Sequence, residues 1–140
     1  MDRMPELTRF GVAMEKALLS RFDDMVTRRG FENRSEALRD LVRRELDEDA
    51  WQRGGHAVAT ITLVYDHHVR ELTERLTEVQ HSAGEHIISA LHVHLDHHHC
   101  MEVIAVKGPS RALKMLADRL IGTKGVLSGH VVAMALPNDR

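Results

Sequence analysis

Three residues near the middle of the chain, His92, His94 and Cys100, have the types and spacing to hold a metal ion. Their surroundings, Gln80-His81-Ser82-Ala83-Gly84-Glu85-His86 and then Leu91-His92-Val93-His94-Leu95-Asp96-His97-His98-His99-Cys100, carry the single cysteine and seven of the eleven histidines. If residues 90–95 are extended, His92 and His94 project from one face and Leu91, Val93 and Leu95 from the other. A turn over residues 96–98 then returns the chain with Cys100 across from His94. Two imidazoles and a thiolate in one small volume are three-quarters of a transition-metal site. The fourth ligand must come from outside the hairpin, and His81 and His86 are the nearest histidines in sequence. Zinc, copper(II) and nickel(II) all suit these ligands; zinc prefers a tetrahedral site and the other two a tetragonal one, and spacing does not choose between them. The His97-His98-His99 turn reads as solvated, and His56, His67, His68 and His130 as surface residues.

The elements that position these ligands follow from the pattern of apolar residues after residue 56. Residues 57–65 alternate as a strand, and Val69, Leu72, Leu76 and Val79 mark a helix. Residues 88–95 and 100–107 form a hairpin. Pro109 opens a second helix with Leu113, Leu116, Leu120 and Ile121 inward, closed by Gly122 and Gly125. Residues 126–136 are the last strand. The order βαββαβ is the ferredoxin-like arrangement, a sheet with two helices on one face. This pattern predicts that Leu91, Val93, Leu95, Met101, Val103 and Ala105 face the helices. It places His92, His94, Cys100 and Glu102 on the bare face, which would pack on a partner chain with metal in the contact.

The first 50 residues have a different texture. Residues 1–7 read as a mobile arm. Phe10, Val12 and Met14 then alternate with Arg9, Gly11 and Ala13, the signature of a short one-sided strand. Leu18, Leu19, Phe22, Met25 and Val26 follow at helical spacing, with Gly30 as the stop. Asn33-Arg34-Ser35-Glu36 has the form of a capping box, opening a helix with Ala37, Leu38, Leu41, Val42 and Leu46 on one stripe. This helix is expected to end in Asp47-Glu48-Asp49. A strand and two helices of roughly 45 residues cannot bury enough surface alone, and a lone strand leaves its edges unpaired. Pairing two copies through their strands removes both problems. Residues 51–56, with Gly54-Gly55, read as a flexible linker.

Composition narrows the function. The chain has 140 residues, 43% of them apolar, and a net charge of −2, so nucleic acid would be attracted only by a local patch. Arg28, Arg29, Arg34, Arg39, Arg43 and Arg44 supply such a patch, or else an ordinary solvated face, since acidic residues interleave with them. One cysteine forms no intrachain disulfide, in keeping with a reducing compartment. No apolar run is long enough to span a bilayer. No leader pattern opens the chain, so a cytoplasmic location is expected. No nucleophile stands beside a base, and four protein ligands would leave a metal no position for a substrate, which argues against an enzyme. A metal-storage or chaperone protein whose N-terminal part only dimerises is the rival to a DNA-binding one.

The N-terminal pattern, from Arg9 to Met14 and through Arg29-Gly30-Phe31-Glu32-Asn33-Arg34-Ser35-Glu36-Ala37-Leu38-Arg39-Asp40, resembles the ribbon-helix-helix repressors. Together with Gln80-His81, Leu91-His92-Val93-His94, Cys100-Met101-Glu102-Val103, Lys107-Gly108 and Lys124-Gly125-Val126, it resembles the nickel-responsive ribbon-helix-helix regulators. The resemblance implies an α+β protein with an N-terminal ribbon-helix-helix domain (βαα, residues 1–50), a linker (51–56) and a ferredoxin-like metal-binding and tetramerisation domain (57–136). It implies one nickel(II) ion per subunit, held in a square plane by His92, His94 and Cys100 of one subunit and His81 of another. Glu102 would orient a histidine, and Glu36 and Asp40 would bind a further cation. Arg9, Gly11 and Ala13 would lie in the major groove of operator DNA, where glycine and alanine depart from the hydroxyl or amide side chains usual there. Arg34 and Ser35 would hold a phosphate at a helix N-terminus. The expected protein is a cytoplasmic homotetramer, a dimer of dimers, that represses nickel-uptake or other nickel-related genes when nickel is bound.

Overall fold

A computed structural model describes residues 4–136. The expected mobile arm falls partly outside them. Contacts divide the chain into two compact units, one ending at Leu41 and the other beginning at Val42.

In the first unit, helix α1 spans Lys16–Arg28 and helix α2 begins at Arg34. The connection turns at Gly30, whose φ of 74° suits a residue without a Cβ. The backbone amides of Arg29, Gly30 and Phe31 donate to the carbonyls of Met25, Thr27 and Val26, which satisfies the end of α1. Asn33 caps α2 as expected, its Oδ1 accepting from the Glu36 amide at 2.9 Å. Glu36 does not complete the box by reaching back; its carboxylate is taken by Arg39 one turn on. Val26 and Ala37 are buried, whereas Leu18, Leu38 and Leu41 remain exposed, Leu18 and Leu41 at an open groove lined also by Phe22 and Met25. The strand expected over residues 9–14 is not formed within the chain, and residues 4–15 have no regular structure. A strand exists only through ladder bonds to a neighbour, and none of the described residues supplies one.

In the second unit, α2 runs on to Arg53, past the acidic run where it was expected to stop. Acidic side chains oppose the dipole at a helix C-terminus, but here each has a partner. Gln52 donates to Glu48 at 2.7 Å, Arg53 pairs with Asp49 at 3.4 Å, and the Ala135 amide donates to Asp47 at 3.0 Å. Trp51 therefore lies on the helix, packed against the core with the Lys114 ammonium 5.2 Å from its ring centre. Only Gly54 and Gly55 separate helix from sheet, and they are tied: the Gly55 amide donates to Ala50 and its carbonyl accepts from Ser110 at 2.8 Å.

The sheet comprises β1 (His56–Asp66), β2 (Ile87–His94), β3 (His99–Pro109) and β4 (Val126–Ala135), in the antiparallel order β2-β3-β1-β4. Helices α3 (Leu72–Ser82) and α4 (Ser110–Ile121) complete the βαββαβ order. The chain is thus α+β, with a four-stranded antiparallel sheet and helices. Ala57, Ala59, Ile61, Leu63 and Tyr65 form the buried row of β1, against Leu72 and Leu76 of α3 and Leu113, Leu116 and Leu120 of α4.

The assignment of sheet faces made from the sequence is inverted. Cys100, Glu102, Ile104 and Val106 are the buried row of β3, and the core cluster includes Cys100, Ile104 and Val106. Met101, Val103 and Ala105 lie on the other face with Leu91 and Val93 of β2 and Val132 and Met134 of β4, where Leu91 and Val132 are about 60% exposed (60% and 61%). Apolar residues occupy both rows of β3, so alternation alone did not decide which row turns inward. Glu102 goes inward with that row. It is tolerated inside because two donors meet it: the Tyr65 hydroxyl donates at 2.9 Å and the Gln80 amide at 2.7 Å.

Candidate metal centre

Antiparallel pairing of β2 and β3 sets His94 opposite Cys100 and His92 opposite Glu102, the register read from the sequence. Cys100 is 5% exposed, whereas His92 and His94 on the edge strand are open to solvent. The cysteine Sγ lies 3.5 Å from His94 Nδ1. For metal bonds of about 2.0–2.3 Å, neighbouring ligand atoms at 90–109° stand roughly 3.1–3.6 Å apart, so this separation suits two ligands of one ion. Nitrogen and sulfur donors of this kind suit nickel, copper or zinc. His92 Nε2 is 3.5 Å from Glu102 Oε1, which places the buried carboxyl group where it can orient that imidazole. Burial, the hydrogen bond to Glu102 and that group's charge all push the Tyr65 phenol above its ordinary range, so Tyr65 is a firm hydrogen-bond donor. The candidate ligands therefore do not lie on the bare sheet face. They sit at the sheet edge, on the side that the helices cover.

The chain adds a candidate ligand that the sequence reading placed on the surface. His67, just after β1, joins His94 and Cys100 in one group whose donor atoms all lie within 4.8 Å of one another. Its ring stands edge-on to that of His94, with centres 5.9 Å apart. The signal was in the topology: β1 pairs antiparallel with β3, so Tyr65 lies beside Cys100 and Asp66 beside His99, and the residues that follow β1 reach the start of β3. His86 is excluded within the chain, since Ile87 pairs with Val106 at the far end of the hairpin from Cys100. Its imidazole instead fills the space that a Cβ on Gly108 would need, 2.6 Å away. His81 is exposed in the last turn of α3, beside Gln80, and is not brought to Cys100 by its own chain.

The hairpin turn is ordered by Asp96. Its Oδ1 accepts from the His98 and His99 amides at 2.8 Å each, and its Oδ2 is 2.8 Å from His99 Nδ1. These bonds hold the Asp96 carboxyl well below the ordinary range, and Asp96 in turn raises His99. Of the three turn histidines, only His98 joins a second group of metal-ligand type, with Asp66 and His68.

Among residues expected to meet DNA, Arg9, Gly11 and Ala13 lie in the exposed segment before α1, with open space around Gly11. Ser35 is exposed in the first turn of α2. Arg34 makes a two-pronged pair with Asp23 of α1, at 2.8 Å through each prong. Glu36 and Asp40, one helical turn apart on α2, are both half-buried.

A sequence model of the NikR C-terminal nickel-binding domain family matches residues 58–134, more than half of the chain. The chain belongs to the nickel-responsive regulator family. A nickel-responsive regulator of Geotalea uraniireducens is 52% identical over 130 residues, 92% of this chain and 94% of its own length. Those of Pelobacter propionicus and Desulfovibrio desulfuricans are 50% and 46% identical, and each alignment covers 97% of this chain and 99% of the relative. The matched domain contains His81, His92, His94, Cys100 and Glu102. Membership makes this a nickel-binding regulator rather than an enzyme. No helix among the described residues is long and apolar enough to cross a membrane.

Proposed function

We propose that the protein is a nickel-dependent transcriptional repressor of nickel-uptake or other nickel-related genes, acting in the cytoplasm as a homotetramer. His92, His94 and Cys100 of one subunit and His81 of another would hold one nickel(II) ion per subunit, and Glu102 would orient His92. The observation that carries this reading is the meeting of Cys100 Sγ and His94 Nδ1 at 3.5 Å on an open strand edge, while His81 stays exposed and apart from them. Such an edge leaves one side of the ligand set free for a neighbouring chain. Bound nickel would supply a bond between subunits.

Several features support assembly and DNA binding. Met101, Val103, Leu91 and Val132 give the sheet a bare apolar face of the kind that a second copy covers. In the N-terminal domain (residues 1–50), exposed Phe10, Val12 and Met14 precede a groove lined by Leu18, Phe22, Met25 and Leu41. Pairing two such segments as a ribbon buries these side chains and supplies each strand with its missing ladder. Arg9, Gly11 and Ala13 would then face the major groove of operator DNA, where Arg9 can read guanine. Ser35 and Arg34 would meet phosphate, with Arg34 exchanging Asp23 for the backbone anion. Glu36 and Asp40 would serve a further cation between the domains, with Glu36 leaving Arg39. The second domain, residues 57–136, would carry the tetramer core.

A test is selection of duplexes from a random DNA pool by the purified protein. Nickel-loaded wild type should enrich an inverted repeat, and Cys100→Ala should not. Equal enrichment with and without nickel would sink the proposal. Coupling must be reciprocal, so the selected duplex should tighten nickel binding by the same factor.

A further inference from the structure

Arg34, the first residue of α2, does not stand free to meet an anion. Asp23 of α1 holds it side-on, with Nε donating to Oδ1 and Nη2 to Oδ2, each at 2.8 Å. Two parallel charge-assisted bonds make a strong and directional contact between an arginine and a carboxylate. The bonds from Arg34 hold the Asp23 carboxyl below its ordinary range, so it carries its charge at neutral pH. The pair lies in the open, with the Arg34 side chain 61% and the Asp23 side chain 41% exposed.

The two helices do not need this pair to hold their turn. The amides of Arg29, Gly30 and Phe31 already close the end of α1, Asn33 caps α2, and Val26 and Ala37 are buried in the same unit. An exposed ion pair adds little stability to elements fastened in this way. What it changes is the charge that α2 offers at its N-terminus. A phosphate arriving there meets a guanidinium whose charge is cancelled by a carboxylate in contact with it. To bind, the phosphate must displace Asp23 or accept its repulsion, and both oppose the contact.

We propose that Asp23 is an electrostatic brake on DNA binding: it occupies Arg34 and so weakens the phosphate contact at the start of α2 on every duplex alike. The inference rests on the DNA-binding reading above. Phosphate contacts carry no sequence information, so the brake lowers affinity without altering the preference for one sequence over another. Its effect is to keep the protein off DNA that offers phosphates alone, where such contacts supply nearly all of the affinity.

The test uses the full-length, nickel-loaded protein with the selected inverted repeat and a scrambled duplex, followed by fluorescence anisotropy from about 50 to 200 mM potassium chloride. Asp23→Asn removes the charge but keeps the side-chain shape and an oxygen that accepts from Arg34. It should bind both duplexes more tightly by the same factor, severalfold at the lower salt. The slope of log affinity against log salt should steepen by about 0.9 for each subunit on the duplex. In an Arg34→Gln background the same change should lose most of its effect, because the gain passes through Arg34. An unchanged slope or weaker binding in Asp23→Asn, or the full gain without Arg34, would overturn the brake. Wild type that binds neither duplex would overturn the DNA-binding reading itself. Wild type that binds while Asp23→Asn behaves identically overturns the brake alone.

Discussion

The buried carboxyl group of Glu102 has two roles in this structure, and a double-mutant cycle can separate them. It is 1% exposed and accepts from the Tyr65 hydroxyl at 2.9 Å and the Gln80 amide at 2.7 Å, while its Oε1 lies 3.5 Å from His92 Nε2. Tyr65→Phe removes one donor to a charged group and should cost about 1.5–3 kcal/mol. Glu102→Leu strands the Tyr65 hydroxyl in the core, at about 1–3 kcal/mol; Gln80 is only half-buried and can turn to water. Removing both partners leaves nothing unpaired, so the double variant should cost less than the sum, with a coupling of about 1–3 kcal/mol. Urea denaturation of the metal-free protein measures all three. Nickel affinity should divide the same variants differently. Tyr65→Phe leaves the Glu102–His92 contact in place and should bind nickel as wild type does. Glu102→Leu and the double variant lose that contact and should weaken nickel binding about 10–100-fold. Additive stabilities would refute the buried pairing. Wild-type nickel affinity in the double variant would refute the positioning of His92.

Three further outcomes follow from particular contacts. A Cβ on Gly129 would lie 2.5 Å from Ile121 Cγ1, so Gly129→Ala should wedge β4 from α4. Overpacking of about 1–3 kcal/mol exceeds the roughly 0.5–1 kcal/mol regained by stiffening the unfolded chain, and urea unfolding should show a net loss. At the hairpin turn, Asp96 is held low and contributes above the unfolded carboxyl value near 3.9; that contribution is lost as pH falls through its lower folded value. His99 is raised and contributes below about 6.5, a contribution lost as pH rises through its higher folded value. An NMR titration should therefore place His99 above free histidine in wild type and return it toward that value in Asp96→Asn; identical midpoints would contradict the pairing. Charging the bare sheet face with Leu91→Lys and Val132→Lys should reduce the assembly seen by sedimentation, and an unchanged mass would count against that face as the subunit contact.

What the sequence revealed, and what it hid, follows the physics of each signal. Periodicity found the order of elements after residue 56 because strand and helix periods differ sharply and Pro109, Gly122 and Gly125 mark the ends. The His94–Cys100 register was legible because a short turn fixes which residues face each other. The extent of α2 was not, because each member of the acidic run that reads as a stop is met by a partner, Gln52, Arg53 or the Ala135 amide, the last 88 positions away. The expected strand at residues 9–14 needs a ladder partner, and none of the described residues supplies one.

The inverted sheet and the position of His67 have a common origin, and together they change where the candidate metal centre sits. Apolar residues occupy both rows of β3, so β2 and β3 taken as an isolated hairpin have two equivalent faces. The neighbour on the other side of β3 removes that freedom: Leu63 pairs with Glu102 and Tyr65 with Cys100, so their side chains share one face. Leu63 and Tyr65 belong to the unbroken buried row of β1, and Glu102 and Cys100 must go inward with them. The Tyr65 hydroxyl then supplies a donor to the buried Glu102 carboxyl group. The same pairing brings the end of β1 to the hairpin turn, which delivers His67 to Cys100 and Asp66 and His68 to His98. A centre on the bare face would have been covered wholly by a partner. At the edge of the sheet, one side of Cys100 belongs to its own core, and His94 and His92 on the outer side remain exposed to solvent.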